Sequence, residues 1–304
     1  QFKQKCTLPY RERTQKPIVW HYTKDSNPEY FEGTNWATHE WDVAMRTSVR
    51  FAQYGECMNE QILAGVDEAT ARSACYADFP VYFGQQEENE DAIALSREVD
   101  DCRAGLGVWA DEDGGSAPWS ESRISLCNDV AESIATRRQY SPGVLSIAKM
   151  DEMIVLCHSP VEYDDPAACG KALPQGVTGA TCETTTDEAT QEACASAVRA
   201  RLGDIRYHQV TVISTPQNES PWGIMVDACD PLTGEKVAAS INVWSSVTER
   251  WSQGIVDMGR FIKGELSTEE ITDAQYVNDW ALAAEASAGN GALGTMNRAE
   301  VLKR

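Results

Sequence analysis

The sequence predicts an α+β fold in which a mixed, twisted sheet packs against long helices, and three patterns indicate it. Four short segments are rich in β-branched residues or alternate apolar and polar residues, as strands do. They cover 17–22, 153–158, 207–214 and 236–244. Segments with apolar residues at helical spacing lie between and after these strands. Ten cysteines fall mostly in two stretches rich in loops and helices, which predicts insertions stapled by disulfides.

A strand followed directly by a long helix opens the chain, as is typical of α/β and α+β domains. The run Pro17-Ile18-Val19-Trp20-His21-Tyr22 predicts the strand. After a loop marked by Asn27-Pro28 and Gly33, apolar residues recur at helical spacing from 35 to about 54. We expect this stripe to pack into the core, and it consists of Ala37, Trp41, Met45, Val49 and Ala52.

Two cysteine-bearing insertions interrupt what we interpret as a single domain over residues 1–304. They cover about 55–150 and 157–203. Within the first, the residue pattern predicts helices at 67–76 and 121–138.

The cysteines are best explained as disulfides formed in an oxidising compartment. Their number is even and none forms a C-x-x-C pair, which argues against a zinc ribbon or a thioredoxin-like motif. We therefore expect an exported protein, extracellular or on the cell surface, with the periplasm as an alternative. Similar Asp-Glu-Ala-Thr runs precede Cys75 and Cys194, and with Cys57 and Cys182 upstream they would make two similar staples. Shared helix-start chemistry explains the runs equally well, so the connectivity stays open. The disulfide candidates are Cys6, Cys57, Cys75, Cys102, Cys127, Cys157, Cys169, Cys182, Cys194 and Cys229.

The last third of the chain predicts a turn, a strand and two helices. Residues 230–235 read D-P-L-T-G-E, with proline and glycine placed as a turn requires, and the alternating strand 236–244 follows. Capping-box patterns at Ser246 and Ser267 then predict two helix starts. Trp251 lies on the apolar stripe of the first of these helices, so we expect it to pack in the core.

Charge and hydropathy exclude several classes of function. The formal net charge is −21, which repels phosphate backbones and anionic lipids, so we expect neither nucleic acid nor membrane-surface partners. No window approaches eighteen consecutive apolar residues, so we expect no membrane-spanning segment. The hydrophobic share of 42% is large enough for a packed core, which excludes wholesale disorder.

Zinc hydrolases commonly carry two histidines one helical turn apart with a glutamate between them, and this sequence lacks that motif. The nearest approach is His39-Glu40-Trp41-Asp42-Val43, in which valine occupies the second ligand position, so we interpret His39 and Glu40 as a solvated helix face. We interpret His21 and His208 as hydrogen-bonded structural residues of strands. His158 has Asp164 and Asp165 nearby but no second nitrogen ligand.

Other signatures of chemistry are also missing from the sequence. It contains no G-x-S-x-G, no P-loop and no G-x-G-x-x-G, and its 47 carboxylates do not single out a catalytic pair. A structural calcium ion at the acidic run 111–113 is a minor expectation, without EF-hand spacing to support it. Trp109 and Trp119 flank that run, and we expect them to anchor it.

Segments from both ends of the chain, taken in order, carry a resemblance to a known family. They are 13–22 (RTQKPIVWHY), the helix with Glu40-Trp41-Asp42, 164–170 (DDPAACG), 203–207 (GDIRY), 220–223 (SPWG) and 230–235 (DPLTGE). In this order they resemble the front part of the catalytic region of secreted bacterial zinc-dependent metallopeptidase-like proteins, a metzincin-like group.

The resemblance implies a specific role for the strand after the D-P-x-T-G-E hairpin. In that family it is an edge strand that lines the substrate cleft and pairs antiparallel with a peptide backbone. Here the positions are Ala239, Ser240, Ile241, Asn242, Val243 and Trp244. In proteins of that family the H-E-x-x-H helix comes later in the sequence than the segments matched here. The resemblance therefore implies no catalytic and no metal-binding residue in these 304 positions, and zinc only if a downstream segment supplies its site.

Three functions remain open at this stage. The chain would be the N-terminal portion of an exported zinc metallopeptidase-like protein, with a peptide, a protein or its own downstream fragment as partner. Alternatively, it would be a non-catalytic extracellular surface or assembly subunit that uses the same fold as a binding platform. A weaker alternative is a carbohydrate-binding module that uses Trp109 and Trp119.

Overall fold

A computed structural model describes residues 8–109, 116–215 and 222–272 of the chain. Cys6, the acidic run 111–113 and most of the predicted final helix lie outside the described residues. The described α-helices are α1 (Phe31–Leu63), α2 (Glu68–Asp78), α3 (Gln86–Ala104), α4 (Glu121–Arg138), α5 (Pro142–Ala148), α6 (Gly179–Thr184), α7 (Glu188–Ser196), α8 (Ser245–Ile262) and α9 (Thr268–Thr272).

The predicted α+β fold class is confirmed, because these helices accompany one five-stranded mixed sheet. In spatial order the strands run β2-β1-β3-β5-β4. β1 pairs parallel with both β2 and β3, whereas β4 and β5 form an antiparallel hairpin. The strands are β1 (Ile18–Tyr22), β2 (Ile154–Cys157), β3 (His208–Ile213), β4 (Gly223–Cys229) and β5 (Lys236–Trp244).

The long helix α1 exists as predicted, but the face it buries is not the predicted apolar stripe. Trp41 is 66% exposed and Met45 also lies at the surface. Polar side chains occupy much of the buried face instead, which consists of Phe31, Asp42, Val43, Arg46, Gln53 and Cys57. The prediction that Trp41 packs in the core is therefore wrong, because a network of buried charges decides the orientation of this helix.

The largest hydrophobic core lies in the first predicted insertion. Helices α3, α4 and α5 pack together there around residues such as Leu95, Ile134 and Ile147, and α1 contributes Val43. Smaller clusters cover the sheet, one with Tyr22 and Val210 among its members and another with Val155 and Cys157. The apolar burial of this part of the chain therefore depends mainly on helix packing.

Four disulfides staple the two insertions. Cys57–Cys75 and Cys182–Cys194 form the two similar staples beside the Asp-Glu-Ala-Thr runs, and Asp67 and Asp187 of those runs are the N-caps of α2 and α7. Cys102–Cys127 joins α3 to α4, and Cys157–Cys169 closes the loop after β2. Cys229, exposed at the end of β4, has no disulfide partner among the described residues, and its predicted disulfide stays a prediction because Cys6 lies outside them.

The described residues divide into two compact units. One comprises 8–109, 116–214 and 223–243, and the other comprises 215, 222 and 244–272. In the second unit Trp251 packs against Trp222 with ring centroids 4.4 Å apart, yet it is 50% exposed, so the expectation of core packing is wrong for this residue as well. Among the described helices, none has a stretch long and apolar enough to cross a membrane. The single domain over 1–304 stays a prediction.

The packing of α5 against the segment before α3 depends on a glycine. A Cβ atom at Gly143 would lie 2.5 Å from the carbonyl carbon of Val81 and 2.7 Å from the amide nitrogen of Tyr82. Both are main-chain atoms, so no side-chain rotation can relieve the clash. Gly55, inside α1, has open space around the same position.

We predict that Gly143→Ala and Gly55→Ala change stability in opposite directions. Gly143→Ala should lower the free energy of unfolding by about 1–3 kcal/mol, as overpacking does. Gly55→Ala should raise it by about 0.5–1 kcal/mol, because alanine favours the helix more than glycine. Urea titrations of both variants measure the effect, and an equal change in the two would contradict the close packing at Gly143.

Candidate functional site

The two edges of the sheet differ in how their main-chain groups are covered, and this difference defines the candidate sites. The strand predicted to line a cleft, Ala239–Trp244, is part of β5, which lies between β3 and β4. The prediction that it is an edge strand is therefore wrong. The edge on this side is β4, a strand that the sequence patterns did not indicate.

The hairpin between β4 and β5 confirms the predicted turn at 230–235. The carboxylate of Asp230 accepts hydrogen bonds from the amides of Leu232 and Thr233 at 2.7 and 3.3 Å. The amide of Gly234, at φ +75°, donates to the carbonyl of Asp230, a conformation that glycine adopts without strain. The turn residues therefore fix the register that pairs β4 with β5.

β4 is exposed along its entire length. It pairs with β5 from Gly223–Val243 to Cys229–Lys236, with a register shift between Ala228 and Cys229. Three consecutive apolar side chains project from it into solvent: Ile224, Met225 and Val226 are 45%, 57% and 60% exposed. No described strand pairs with its other side.

At the opposite edge, a cavity of about 180 Å³ lies beside β2, bordered by α1, α3 and the loop after β2. Aromatic rings of Phe31 and Trp119 line it together with the imidazoles of His39 and His158. Seven carboxylates but a single arginine, Arg97, complete its charged lining. The cavity is therefore strongly acidic and partly aromatic.

Carboxylates satisfy the outward main-chain amides at both ends of β2. Asp42 Oδ1 accepts hydrogen bonds from the amides of Met153 and Ile154 at 2.5 and 2.9 Å. Asp165 Oδ2 accepts one from the amide of His158 at 2.9 Å. These side chains take the place of a neighbouring strand, which protects the edge against pairing with another chain.

Behind the cavity, two buried arginines hold three carboxylates and the end of α5. Arg46 donates to Asp42 and Asp100, at 2.7 Å for the latter, and to the carbonyl of Met150 at 3.1 Å. Arg103 contacts Asp100 at 3.2 Å and Glu152 at 2.9 Å, and also donates to the carbonyl of Met150. Burial raises the pKa of Asp100 well above its ordinary value, although Arg46 and Arg103 act against this.

His39 belongs to this network, so its interpretation as part of a solvated helix face is wrong. Its side chain is largely buried, its Nε2 lies 3.1 Å from the carbonyl of Ile93, and its Nδ1 lies 3.7 Å from Asp100. Because a carbonyl only accepts, Nε2 carries the proton. Burial lowers the pKa of His39, which favours the neutral ring.

His39, Asp42 and Asp100 also form a group with metal-ligand atoms within 4.8 Å of one another. Arg46 already occupies the space between the two carboxylates and neutralises them. A metal ion would have to displace this buried guanidinium, so the group is poorly suited to a catalytic zinc ion. The signal that sequence reasoning missed is the i,i+4 spacing of Asp42 and Arg46, which places both on one face of α1.

The imidazole of His158 is oriented at the cavity wall. Its Nδ1 bonds Asp165 Oδ1 at 2.9 Å, and its ring stacks on Phe31 with centroids 3.6 Å apart. Burial alone would lower the pKa of His158, but the hydrogen bond and charge of Asp165 outweigh it and raise that pKa. The nearby Asp165 noted in the sequence is thus its partner, and the Nδ1 bond leaves Nε2 free to meet a ligand.

His208, His21 and Trp119 have mainly structural surroundings. His208 Nδ1 accepts the amide of Ala239 at 3.0 Å, which confirms its structural interpretation. His21 is buried against Tyr207, but neither of its ring nitrogens has a hydrogen-bond partner among the described residues, contrary to expectation. Trp119 donates its indole N–H to the carbonyl of Asp164 at 2.8 Å and so anchors the chain at the cavity.

Searches against models of protein families, curated protein sequences and solved structures find no match to this chain.

We predict that Arg46→Met is strongly destabilising. Removing the guanidinium leaves Asp42, Asp100 and Glu152 close together without one of their two buried cations, which should cost about 3–5 kcal/mol. The loss should shrink at low pH, where the carboxylates take up protons. Denaturant titrations at two pH values measure it. Arg72→Met, which removes an exposed ion pair with Glu68, is the control and should leave stability unchanged.

We predict that Asp165→Asn lowers the pKa of His158, because it removes the charge that raises it. In the native protein this raised pKa contributes stability that is fully present below the unfolded pKa of about 6.5 and is lost as the pH rises through the folded value. NMR titration of the imidazoles measures the shift, with His208 as the internal reference. An unchanged His158 titration would show that the Asp165 contact is not formed in solution.

Proposed function

We propose that this chain binds an extended peptide by strand addition along β4, as the N-terminal portion of an exported zinc metallopeptidase-like protein whose substrate cleft this edge would line. The observation that carries the proposal is that no described strand pairs with the outer side of β4. The sequence resemblance points to the same hairpin, but the strand before the turn now takes the role first expected of Ala239–Trp244.

The main-chain groups of β4 provide the affinity in this proposal. In an antiparallel pair, every second residue directs its N–H and C=O away from the partner strand. β4 has seven residues, all exposed, and among the described strands it pairs with β5 alone, so a row of such groups lacks a strand partner there. An extended peptide satisfies these groups without a conformational change in the sheet.

The side chains of β4 favour the same occupant. Ile224 and Val226 project from one face of the strand and Met225 from the other, so a bound peptide finds apolar surface for alternate side chains on both faces. The net charge of −21 attracts basic segments and repels acidic ones. Apolar peptides with flanking lysine or arginine residues are therefore the preferred class.

The zinc ion implied by the resemblance finds no suitable ligand set among the described residues. The one group of metal-ligand atoms, at His39, is already neutralised by Arg46. The proposal therefore assigns no catalytic step to this chain and leaves the metal centre to sequence beyond these residues. Export is supported by the four disulfides, which are typical of oxidising compartments.

A matched pair of peptides tests strand addition directly. The probe is acetyl-Lys-Thr-Val-Thr-Val-Thr-Val-Lys-amide with a fluorophore, and its control carries N-methyl groups on alternate residues. Fluorescence anisotropy should give a Kd of about 1–100 μM for the probe, and at least tenfold weaker binding for the control, because N-methylation removes donors along one edge. Equal binding of the two peptides would overturn the proposal.

Two variants with the same charge change locate the binding edge. Val226→Lys places an ammonium group on β4, whereas Val237→Lys places one on the inner strand β5 at a similarly exposed position. We expect Val226→Lys to weaken peptide binding at least fivefold more than Val237→Lys does. Similar effects of the two would indicate that long-range charge, and not the β4 edge, controls the binding.

A non-catalytic binding platform is the second candidate, and the absence of H-E-x-x-H from these 304 residues favours it. The two functions share the β4 edge but differ in what the gene encodes downstream. The coding sequence together with the intact mass of the native protein decides between them. A downstream H-E-x-x-H helix supports the peptidase, and a stop codon shortly after Arg304 supports the platform.

A further inference from the structure

The cavity beside β2 is the feature of the molecule that the peptide proposal leaves unexplained. Its volume of about 180 Å³ is enough for one molecule of the size of an amino acid. It lies at the opposite edge of the sheet from β4. Any ligand bound there is therefore independent of strand addition.

A main-chain amide without a partner faces this cavity. The amide of Ile18 bonds the carbonyl of Met153, so this carbonyl and the main-chain groups of Val155 and Cys157 point toward β1, while the amide of Met153 bonds Asp42. Ile154, Leu156 and His158 consequently direct theirs outward. Asp42 and Asp165 accept the amides of Ile154 and His158, but the amide of Leu156 has no acceptor among the described residues.

This orphan amide is significant because Leu156 is only 4% exposed. Buried amides without any partner are rare, since each costs the desolvation of an unpaired donor. Leu156 itself lines the cavity. A ligand with a carbonyl oxygen would satisfy its amide, and the free Nε2 of His158, on the same wall, could bond the same ligand.

Besides a carbonyl oxygen, the charges of the cavity indicate which other chemical group a ligand should carry. Asp42, Asp100 and Glu152 are engaged by Arg46 and Arg103. Two further carboxylates of the lining are not neutralised in this way. Asp164 has no ion pair among the described residues, and Asp101 has only Arg97, at 4.0 Å. Partly desolvated carboxylates of this kind favour an ammonium group as a partner.

We propose that the cavity binds a small organic cation that carries an ammonium group next to a carbonyl, as an amino acid amide or the first residue of a peptide does. Its ammonium group meets Asp101 and Asp164, and its carbonyl oxygen accepts the amide of Leu156. The ring of Trp119 borders the apolar part. The acidic lining disfavours a free amino acid, whose carboxylate it repels.

A set of four small molecules tests both halves of this ligand on the full chain. The probe is L-leucinamide at about pH 6.5, where its amine is protonated. The other three are 4-methylpentanamide without the ammonium group, 3-methylbutylamine without the carbonyl, and leucine with an added carboxylate. Binding is followed by the amide resonance of Leu156 and by calorimetry. We expect a Kd of about 0.1–10 mM for leucinamide and at least fivefold weaker binding of the other three.

Variants then separate the cavity from non-specific attraction to an acidic surface. Asp101→Asn with Asp164→Asn should weaken leucinamide binding at least tenfold, and Thr38→Met, which fills the cavity, should abolish it. Glu192→Gln, an exposed carboxylate on α7, should have no effect. An unshifted Leu156 resonance, equal binding of 4-methylpentanamide, or equal effects of Glu192→Gln and the double variant would overturn the proposal. Binding of the β4 peptide should be the same in all these variants.

Discussion

The buried contact between Arg46, Arg103 and three carboxylates joins α1 and α3 to the segment between α5 and β2. Arg46 comes from α1 and Arg103 from α3, and both donate to the carbonyl of Met150, between α5 and β2. Arg46 also reaches the carbonyl of Ala148, the last residue of α5, and Arg103 that of its C-cap Lys149, so the two guanidinium groups satisfy carbonyls at the helix end. The same groups neutralise Asp42, Asp100 and Glu152. The network therefore joins the helical core to the sheet at one place, and this place fixes how α1 lies along the sheet.

Asp42 connects this network to the edge of the sheet. One of its oxygens binds Arg46 and the other accepts the outward amides of Met153 and Ile154. Both oxygens of Asp42 have partners. Replacing it by an apolar residue would therefore leave the guanidinium of Arg46 without one of its carboxylates and the amides of Met153 and Ile154 without an acceptor. Its position also holds α1 beside β2 while leaving room for a cavity between them. The acidity of the cavity thus follows from the same residues that close the edge.

Several parts of the fold could be predicted from local patterns. β5 and α4 occupy 236–244 and 121–138 as expected. The D-P-L-T-G-E turn also forms as expected, and the side chain of Asp230 stabilises it by a hydrogen bond from the amide of Leu232. The repeated helix starts left the cysteine pairing open, although two disulfides do form beside them. The orientation of α1 could not be predicted from hydropathy, because its buried face carries Asp42 and Arg46, whose partners are distant in sequence. β4 escaped prediction because exposed apolar residues do not alternate as a half-buried strand does. The carboxylate-lined cavity depends on tertiary contacts between α1, α3 and β2, so no local spacing reveals it.

The contrast between the two sheet edges supports treating β4 as a functional surface. At β2 two buried carboxylates, Asp42 on α1 and Asp165 on the loop after the strand, accept the outward amides of Ile154 and His158. Such protection is the usual way in which natural proteins avoid pairing with other chains. At β4 the described residues provide no such cover, and the exposed side chains are apolar along three consecutive positions. Lys236 and Asp227 form an ion pair across the hairpin, which stabilises the β4–β5 pairing but leaves the outer edge open. A chain that covers outward amides at both ends of one edge strand and leaves the other edge strand apolar and without such cover among the described residues has the surface that an extended partner requires.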